Sequence, residues 1–432
     1  MCRRQAFANV GHVNVSPILA LAGLITIGLL VPRLTSLRWP RMPTLDLLVA
    51  AGGPLVALGL VLGPGIDFLD RPALGALAPV TGLALGWVGA AFGARFEWRY
   101  VRRIPRGAWL LAALSSTVAF TAAALAAWLA TRLVPALSAA WLPRLPAILT
   151  LGALAAAAGP GAAALVVRAT GVPARAARPI GLAAGLETAC AVLAMSVPFA
   201  LHRRGGAVLA WLAWLALAAG SGALVGALFL WLTRARAEVD RTELAFLVLV
   251  TLLFGAGIGS ASGATPFVPC FLASVLIVSV SPHRHTLRRV LAGGERPIYA
   301  VLLVLAGALL ALPTAWILLA VPALWGVRAV AKWAAVRFGR APVGFARRPP
   351  DMGLATIAQG GVIVALGVAY TLEYGGDGGA LLATIVLLVA ASLLSAPALL
   401  ALALRAESVG PALTRSTAPA ELSANVPVEW PR

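Results

Sequence analysis

Residues 146–167 read PAILTLGALAAAAGPGAAALVV, an apolar run of helical length interrupted past its middle by Gly159-Pro160-Gly161. Proline removes a backbone donor and its ring clashes with the preceding turn. Glycines on either side let the chain leave helical geometry at little steric cost. In a run this apolar, an irregular backbone is tolerated only where protein or water surrounds it. A second run, residues 352–371, is interrupted near its middle at Gln359-Gly360-Gly361. Matching breaks in the two halves of a chain point to a binding site near the middle of a membrane.

The composition around these runs fits that reading. Of 432 residues, 61% are hydrophobic and 11% are charged, with a mean hydropathy of +0.93. Soluble domains carry about a quarter charged residues, so a soluble globular protein is excluded. Thirteen apolar runs of helical length follow one another: 15–31, 45–63, 73–94, 107–131, 146–167, 178–200, 206–232, 243–262, 264–280, 297–312, 314–336, 352–371 and 379–404. Run 15–31 is long, lacks a clear cleavage site and is followed by Pro32-Arg33, so it is read as a span rather than a signal peptide. The short turns at Gly263 and Pro313 predict tight antiparallel hairpins. Alternating ten-residue segments, the mark of a membrane β-barrel, are absent. The expected class is an all-α polytopic membrane protein, with residues 1–404 as its transmembrane domain. Residues 405–432, polar and rich in Pro, Ser and Ala, are expected to be a disordered cytoplasmic tail.

The net charge of +19 raises the question of nucleic acid, but the loops answer it. With the N-terminus placed outside, the inner loops hold 22 arginines and the outer segments 7. The excess satisfies the positive-inside rule and accounts for most of the charge without a nucleic-acid partner. It predicts a cytoplasmic C-terminus, in a membrane that the Ala- and Arg-heavy composition suggests is a bacterial inner membrane. The segment Arg95–Arg106 interleaves Trp98 and Tyr100 with arginines. It suits an interfacial helix on anionic lipid and equally an ordinary inner loop. The glycine series Gly82, Gly86, Gly89, Gly93 and Gly220, Gly222, Gly226 allow close helix packing. Cys2, Cys190 and Cys270 form no C-x-x-C pair, which gives no metal site and no disulfide framework. The four histidines lie outside the spans, and no nucleophile constellation or phosphate loop argues for an enzyme or a cofactor.

Ionisable residues inside spans are few. Glu187 lies near the middle of run 178–200, and Arg328 and Lys332 lie in run 314–336, four apart and so on one helix face. An uncompensated charge at bilayer depth costs about 3 kcal/mol or more. Glu187 is therefore expected to face Arg328, the deeper of the two bases. Lys332 is about 7 Å of helix rise from the end of its span, within reach of snorkelling. In each half the broken run neighbours a run carrying a buried charge.

Four features in order resemble the monovalent cation:proton antiporter superfamily, the membrane domain of bacterial Na+/H+ and K+/H+ exchangers. Gly59-Leu60-Val61-Leu62-Gly63-Pro64 is similar to its G-x-x-L-G-P signature. Phe267 to Arg289, with Ala273-Ser274-Val275-Leu276 and Ser281 through Leu287, resembles its stretch ending S-x-x-x-x-x-L. Ile357-Ala358-Gln359-Gly360-Gly361 resembles its Q-G-G break. The fourth feature is the pair of helices bearing Ala158-Gly159-Pro160 and Glu187. The resemblance covers residues 15 to 404. It implies about thirteen helices in inverted repeats, two crossed broken helices, a transport core (about 107–200 and 314–404) and a dimerisation scaffold (about 15–94 and 206–312). The core would move like an elevator against that scaffold.

The departures bear on the site. Ala158-Gly159 stands where the family usually has Thr-Asp, and Glu187-Thr188 where it has Asp-Asp or Asn-Asp. Ungapped, Thr188 takes the essential second position; a one-residue slip gives that place to Glu187. The family's buried base would be Arg328 or Lys332. The implied activity is exchange of a monovalent cation for a proton at Glu187, with Thr188, Gln359 and the broken-helix carbonyls as neutral oxygens. Burial favours a protonated carboxyl, and a nearby cation favours the ionised one; that competition would couple the fluxes. One carboxylate beside an arginine that stays charged predicts one-for-one, electroneutral exchange. The alternative is a degenerate, non-transporting partner subunit or sensor, motivated by loss of both expected aspartates.

Overall fold

The computed structural model describes residues 43–408 apart from 67, 70, 143, 205–207, 235–239, 263–264, 345–350 and 375–377, and also residues 23 and 26. Apart from residues 23 and 26, the run 15–31 lies outside the described residues, as does the tail from residue 409. Every secondary-structure element among the described residues is a helix. Its first helices are α1 (Pro43–Ala50), α2 (Gly53–Leu60, continued by a π-helical turn Val61–Gly65), α3 (Arg71–Ala76), α4 (Ala78–Gly93) and α5 (Trp98–Val101). Then come α6 (Arg106–Leu133), α7 (Pro135–Ala140), α8 (Arg144–Ala156), α9 (Pro160–Ala169) and α10 (Ala174–Arg204). They are followed by α11 (Val208–Arg234), α12 (Arg241–Ser262), α13 (Phe267–Val280) and α14 (Arg284–Ala308). The chain closes with α15 (Trp316–Gly339), α16 (Met352–Ala355), α17 (Gly361–Tyr374) and α18 (Gly379–Ser408).

Among the described residues, seven helices are long and apolar enough to cross a membrane, and the bent pair α8–α9 makes up to eight. Four shorter apolar helices, Gly53–Gly65, Ala78–Gly93, Phe267–Val280 and Gly361–Tyr374, fall on four more of the expected runs. The fold is an all-α, multi-pass membrane fold, and the count of thirteen spans is not established by it. The reason is local chemistry. Run 45–63 is divided at Gly52, whose φ of 93° lies in the left-handed region that favours glycine, just before Pro54. Run 73–94 divides at Leu77, before Pro79. Run 297–312 begins earlier than its apolar part, at Arg284, because the amphipathic stretch before Pro297 continues the helix. α18 extends to Ser408, four residues into the segment expected as a tail.

The long helices are small inside and large outside. α6 buries Ala112, Ser115, Ser116, Ala119, Ala123 and Ala127 along one face and exposes Leu110, Leu125, Trp128 and Leu133 on the other. In lipid no hydrophobic gain draws helices together, so association relies on close packing of small residues. The G-x-x-L-G-P stretch works in this way. A Cβ on Gly59 would fall 2.9 Å from the Cα of Gly307, and one on Gly63 would fall 2.6 Å from the Cα of Ala308. That places α2 and its π turn directly against the end of α14.

The helices sort into two packing groups. One contains α2, α4, α11, α12, α13 and α14; the other contains α6, α8, α9, α10, α15, α16, α17 and α18. The main contacts between them are α10 on α11 and α14 on α17. The hairpin expected at Pro313 does not form. α14 packs on α2 and α4 while α15 packs on α6, so the non-helical residues 310–314 carry the chain from one group to the other.

Candidate functional site

The two breaks meet. α8 ends at Ala156 and α9 starts at Pro160, with a bend of 42° between their axes. The second break spans residues 356–360, just before the middle of its run, between the single turn α16 and α17. The Gly159 N–H donates to the Ala358 carbonyl at 2.8 Å, so the two irregular segments cross backbone to backbone. Gly159 sits at the crossing: a Cβ there would fall 2.6 Å from the amide nitrogen of Gly360 and 3.0 Å from the carbonyl carbon of Gln359. We expect Gly159→Ala to destabilise the protein by about 2 kcal/mol, as overpacking against immovable backbone does. Thermal unfolding in detergent reads this directly, and an unchanged midpoint would contradict the crossing.

A helix leaves its last four carbonyls without partners, and in lipid no water takes them. At the end of α8 every carbonyl from Leu154 to Ala158 is met by a side chain. Gln359 Nε2 donates to Leu154 O at 2.7 Å. Arg328 donates through Nε to Ala155 O at 2.9 Å and through one terminal nitrogen to Ala157 O at 2.7 Å. Lys332 Nζ donates to Ala156 O at 3.2 Å, and Thr188 Oγ1 donates to Ala158 O. The remaining terminal nitrogen of Arg328 reaches across to Ile357 O, at 2.7 Å, in the other break. The partial negative charge of a helix C-terminus favours this concentration of cations.

The charge pairing differs from the sequence expectation. Arg328 spends its guanidinium on three carbonyls, and the ion partner of Glu187 is Lys332, with Nζ 2.6 Å from Oε2. Lys332 does not snorkel. It is 0% exposed and Glu187 is 2% exposed. The cause is α16, which packs on α15 at this level: a Cβ on Gly353 would fall 2.8 Å from the carbonyl carbon of Lys332. Depth along α15 alone gave the wrong partner because the end of that helix is roofed by a neighbour.

Of the other residues singled out, Thr188 and Gln359 both join the row, as donors. The Gln359 N–H also donates to Ser392 Oγ at 3.1 Å. A cavity of about 20 Å³, room for about one water, lies beside Arg328 and Gln359, closed by Leu154, Leu324, Ile363 and Ile385. Pro160 opens α9, Gly361 opens α17 against the ring of Tyr299, and a Cβ on Gly360 would lie 3.1 Å from that of Ala162. Gly161 has open space around its Cα. The sequence reading missed Ser115, whose hydroxyl donates to Glu187 Oε1 at 2.7 Å. Its only signal was the polar cluster Ser115-Ser116-Thr117 within a largely apolar run. Among the described residues no group of three His, Cys, Asp or Glu is placed to hold a metal.

No family model and no curated protein matches the chain. Among solved structures the chain is similar to the sodium proton antiporter MjNhaP1 of Methanocaldococcus jannaschii. The two share 16% sequence identity at a TM-score of 0.65, over 90% of this chain and 98% of that one. The chain therefore shares the fold of that protein.

Proposed function

We propose that the protein is a secondary transporter exchanging a monovalent cation, Na+ or K+, for protons, with Glu187 as the ion-binding carboxylate. The observation that carries the reading is the Glu187–Lys332 pair at the crossing of two broken helices. Three ionisable groups meet in a space closed to bulk water, and they differ in how they are held. Arg328 is held by carbonyls of both breaks, which suits a structural cation. Lys332 has one carbonyl and the carboxylate, and it can lose a proton without leaving a permanent charge behind. A cation arriving at Glu187 competes for the single negative charge that holds the ammonium, so cation entry and proton release are linked. One charge replaces one charge, which keeps the exchange electroneutral.

We read α6, α8–α10 and α15–α18 as the moving core and the other packing group as the scaffold of a homodimer, with the N-terminus outside the bacterial inner membrane and the C-terminus in the cytoplasm. The test is the signal of a pH-sensitive dye in proteoliposomes on addition of Li+, Na+ or K+. A cation-specific signal unchanged by clamping the membrane potential is expected. Silence from folded protein across roughly pH 6 to 9, wide enough to span a perturbed carboxylate or lysine, would sink the proposal. One observation favours the rival reading of a non-transporting partner subunit. Both carboxylate oxygens of Glu187 are already satisfied, by Lys332 and by Ser115, as in a permanent structural pair.

A further inference from the structure

The two ends of the Gln359 amide are treated differently. Its nitrogen donates to Leu154 O at 2.7 Å. A backbone carbonyl only accepts, so Leu154 O fixes the amide with its nitrogen towards α8 and its oxygen turned away. Among the described residues, Gln359 Oε1 accepts no hydrogen bond; the other bond of this residue is from its backbone N–H to Ser392. Arg328 has donors to spare. A guanidinium carries five N–H groups, and Arg328 donates to three carbonyls. Gln359 is 3% exposed and Arg328 2%. Both line the cavity of about 20 Å³ where α6, α8, α15, α17 and α18 meet, and its other walls are Ala, Leu and Ile side chains. Buried polar groups are nearly always satisfied, by protein or by ordered water. A cavity this large with two or more polar partners is a place for one water molecule.

We propose that this cavity binds one ordered water molecule, which accepts a hydrogen bond from the Arg328 guanidinium and donates one to Gln359 Oε1. The walls select a small neutral ligand that can do both. A cation there would meet a fixed guanidinium with no carboxylate in contact, since Glu187 does not line the cavity. An anion would meet the amide oxygen. The water ties the second break to α15, beside the direct bond from Arg328 to Ile357 O. It also gives Gln359 a structural duty. With the nitrogen bound to Leu154 O and the oxygen to the water, neither end of the amide is left to serve as a ligand for a cation at Glu187. The site stands whether or not the protein exchanges cations.

The test fills the cavity from its apolar side in the full chain. Ala123 of α6 lines it and is 2% exposed. Ala123→Val puts two methyl groups where the water would sit. Filling a dry void stabilises a protein or leaves it unchanged, because the new atoms gain contacts. Displacing a bridging water does the opposite, because Oε1 and the guanidinium are left unpaired. We expect Ala123→Val to lower the melting temperature in detergent by a few degrees. Crowding could do the same, so the substitution is repeated in a Gln359→Met background. Methionine keeps the length and bulk of glutamine, and with them the crowding, but has no amide oxygen to hold the water. There Ala123→Val should lower the melting temperature less, or raise it. A rise or no change in the wild-type background overturns the site, and so does an equal fall in both. A density map of the unmodified protein, at a resolution that shows ordered water, decides the matter even if a variant fails to fold. One peak within hydrogen-bonding distance of Gln359 Oε1 and a guanidinium nitrogen is expected. No peak there beside well-defined side chains overturns the proposal.

Discussion

Replacing Glu187 with Gln is expected to abolish cation-dependent proton movement in proteoliposomes, because glutamine keeps the shape of the side chain and removes the only carboxylate at the crossing. The same change leaves Lys332 buried without a counter-charge, held by Ala156 O and a neutral amide. Removing one member of a buried ion pair costs about 3–5 kcal/mol, so the variant should also melt at lower temperature. Transport loss and destabilisation would then be confounded, and a second substitution separates them. Glu187→Gln combined with Lys332→Met removes both charges, and such replacements are often neutral for stability. We expect the double variant to regain its melting temperature and stay silent in exchange. Exchange retained by Glu187→Gln, or regained by the double variant, would remove Glu187 from the mechanism. Arg328 keeps its three carbonyls in both variants, so its own charge does not enter the comparison.

The largest effect on folding is expected at Arg328. Its three hydrogen bonds join the end of α8 to the second break. A hydrogen bond to a charged group contributes about 1.5–3 kcal/mol, and bonds in one network do not add. Arg328→Leu should still cost about 4 kcal/mol or more, since three carbonyls are left unpaired away from bulk water. The expected result is loss of a monodisperse species on detergent extraction, or a steep fall in melting temperature. Arg328→Lys should rescue little. An ammonium is a point donor, whereas the guanidinium fork presents donors in fixed directions to two elements at once. A stable, monodisperse Arg328→Leu protein would show that the carbonyl row holds without it.

Much of the fold was written in the order of apolar runs. Both breaks could be read from Gly159-Pro160-Gly161 and Gln359-Gly360-Gly361, since few other residues interrupt a helix in lipid. The charged residues of the site were legible for a similar reason: Glu187, Arg328 and Lys332 are costly at depth and few. Their pairing was not, because periodicity places Arg328 and Lys332 on one face and only the packing of α16 decides which is roofed. Ser115 was illegible for the opposite reason. A serine costs little in a membrane helix when it can bond its own backbone, so nothing in the run 107–131 distinguishes the serine that reaches a carboxylate from one that does not. The subdivision of runs 45–63 and 73–94 depended on prolines near helix starts, where the same residue can open a helix or bend one.

The carbonyl row has a mechanical consequence. Side chains from α10, α15 and the second break are riveted to five successive carbonyls at the end of α8. Sliding any one of these elements along α8 would strip hydrogen bonds that the hydrocarbon cannot replace. The centre of the molecule is thus its stiffest part, and compliance is left to the joints where the chain passes between the two packing groups. Two of these are the non-helical residues 310–314 and the short segment 94–105 between α4 and α6. A strap placed across either joint should immobilise the molecule more effectively than any change made at the crossing itself.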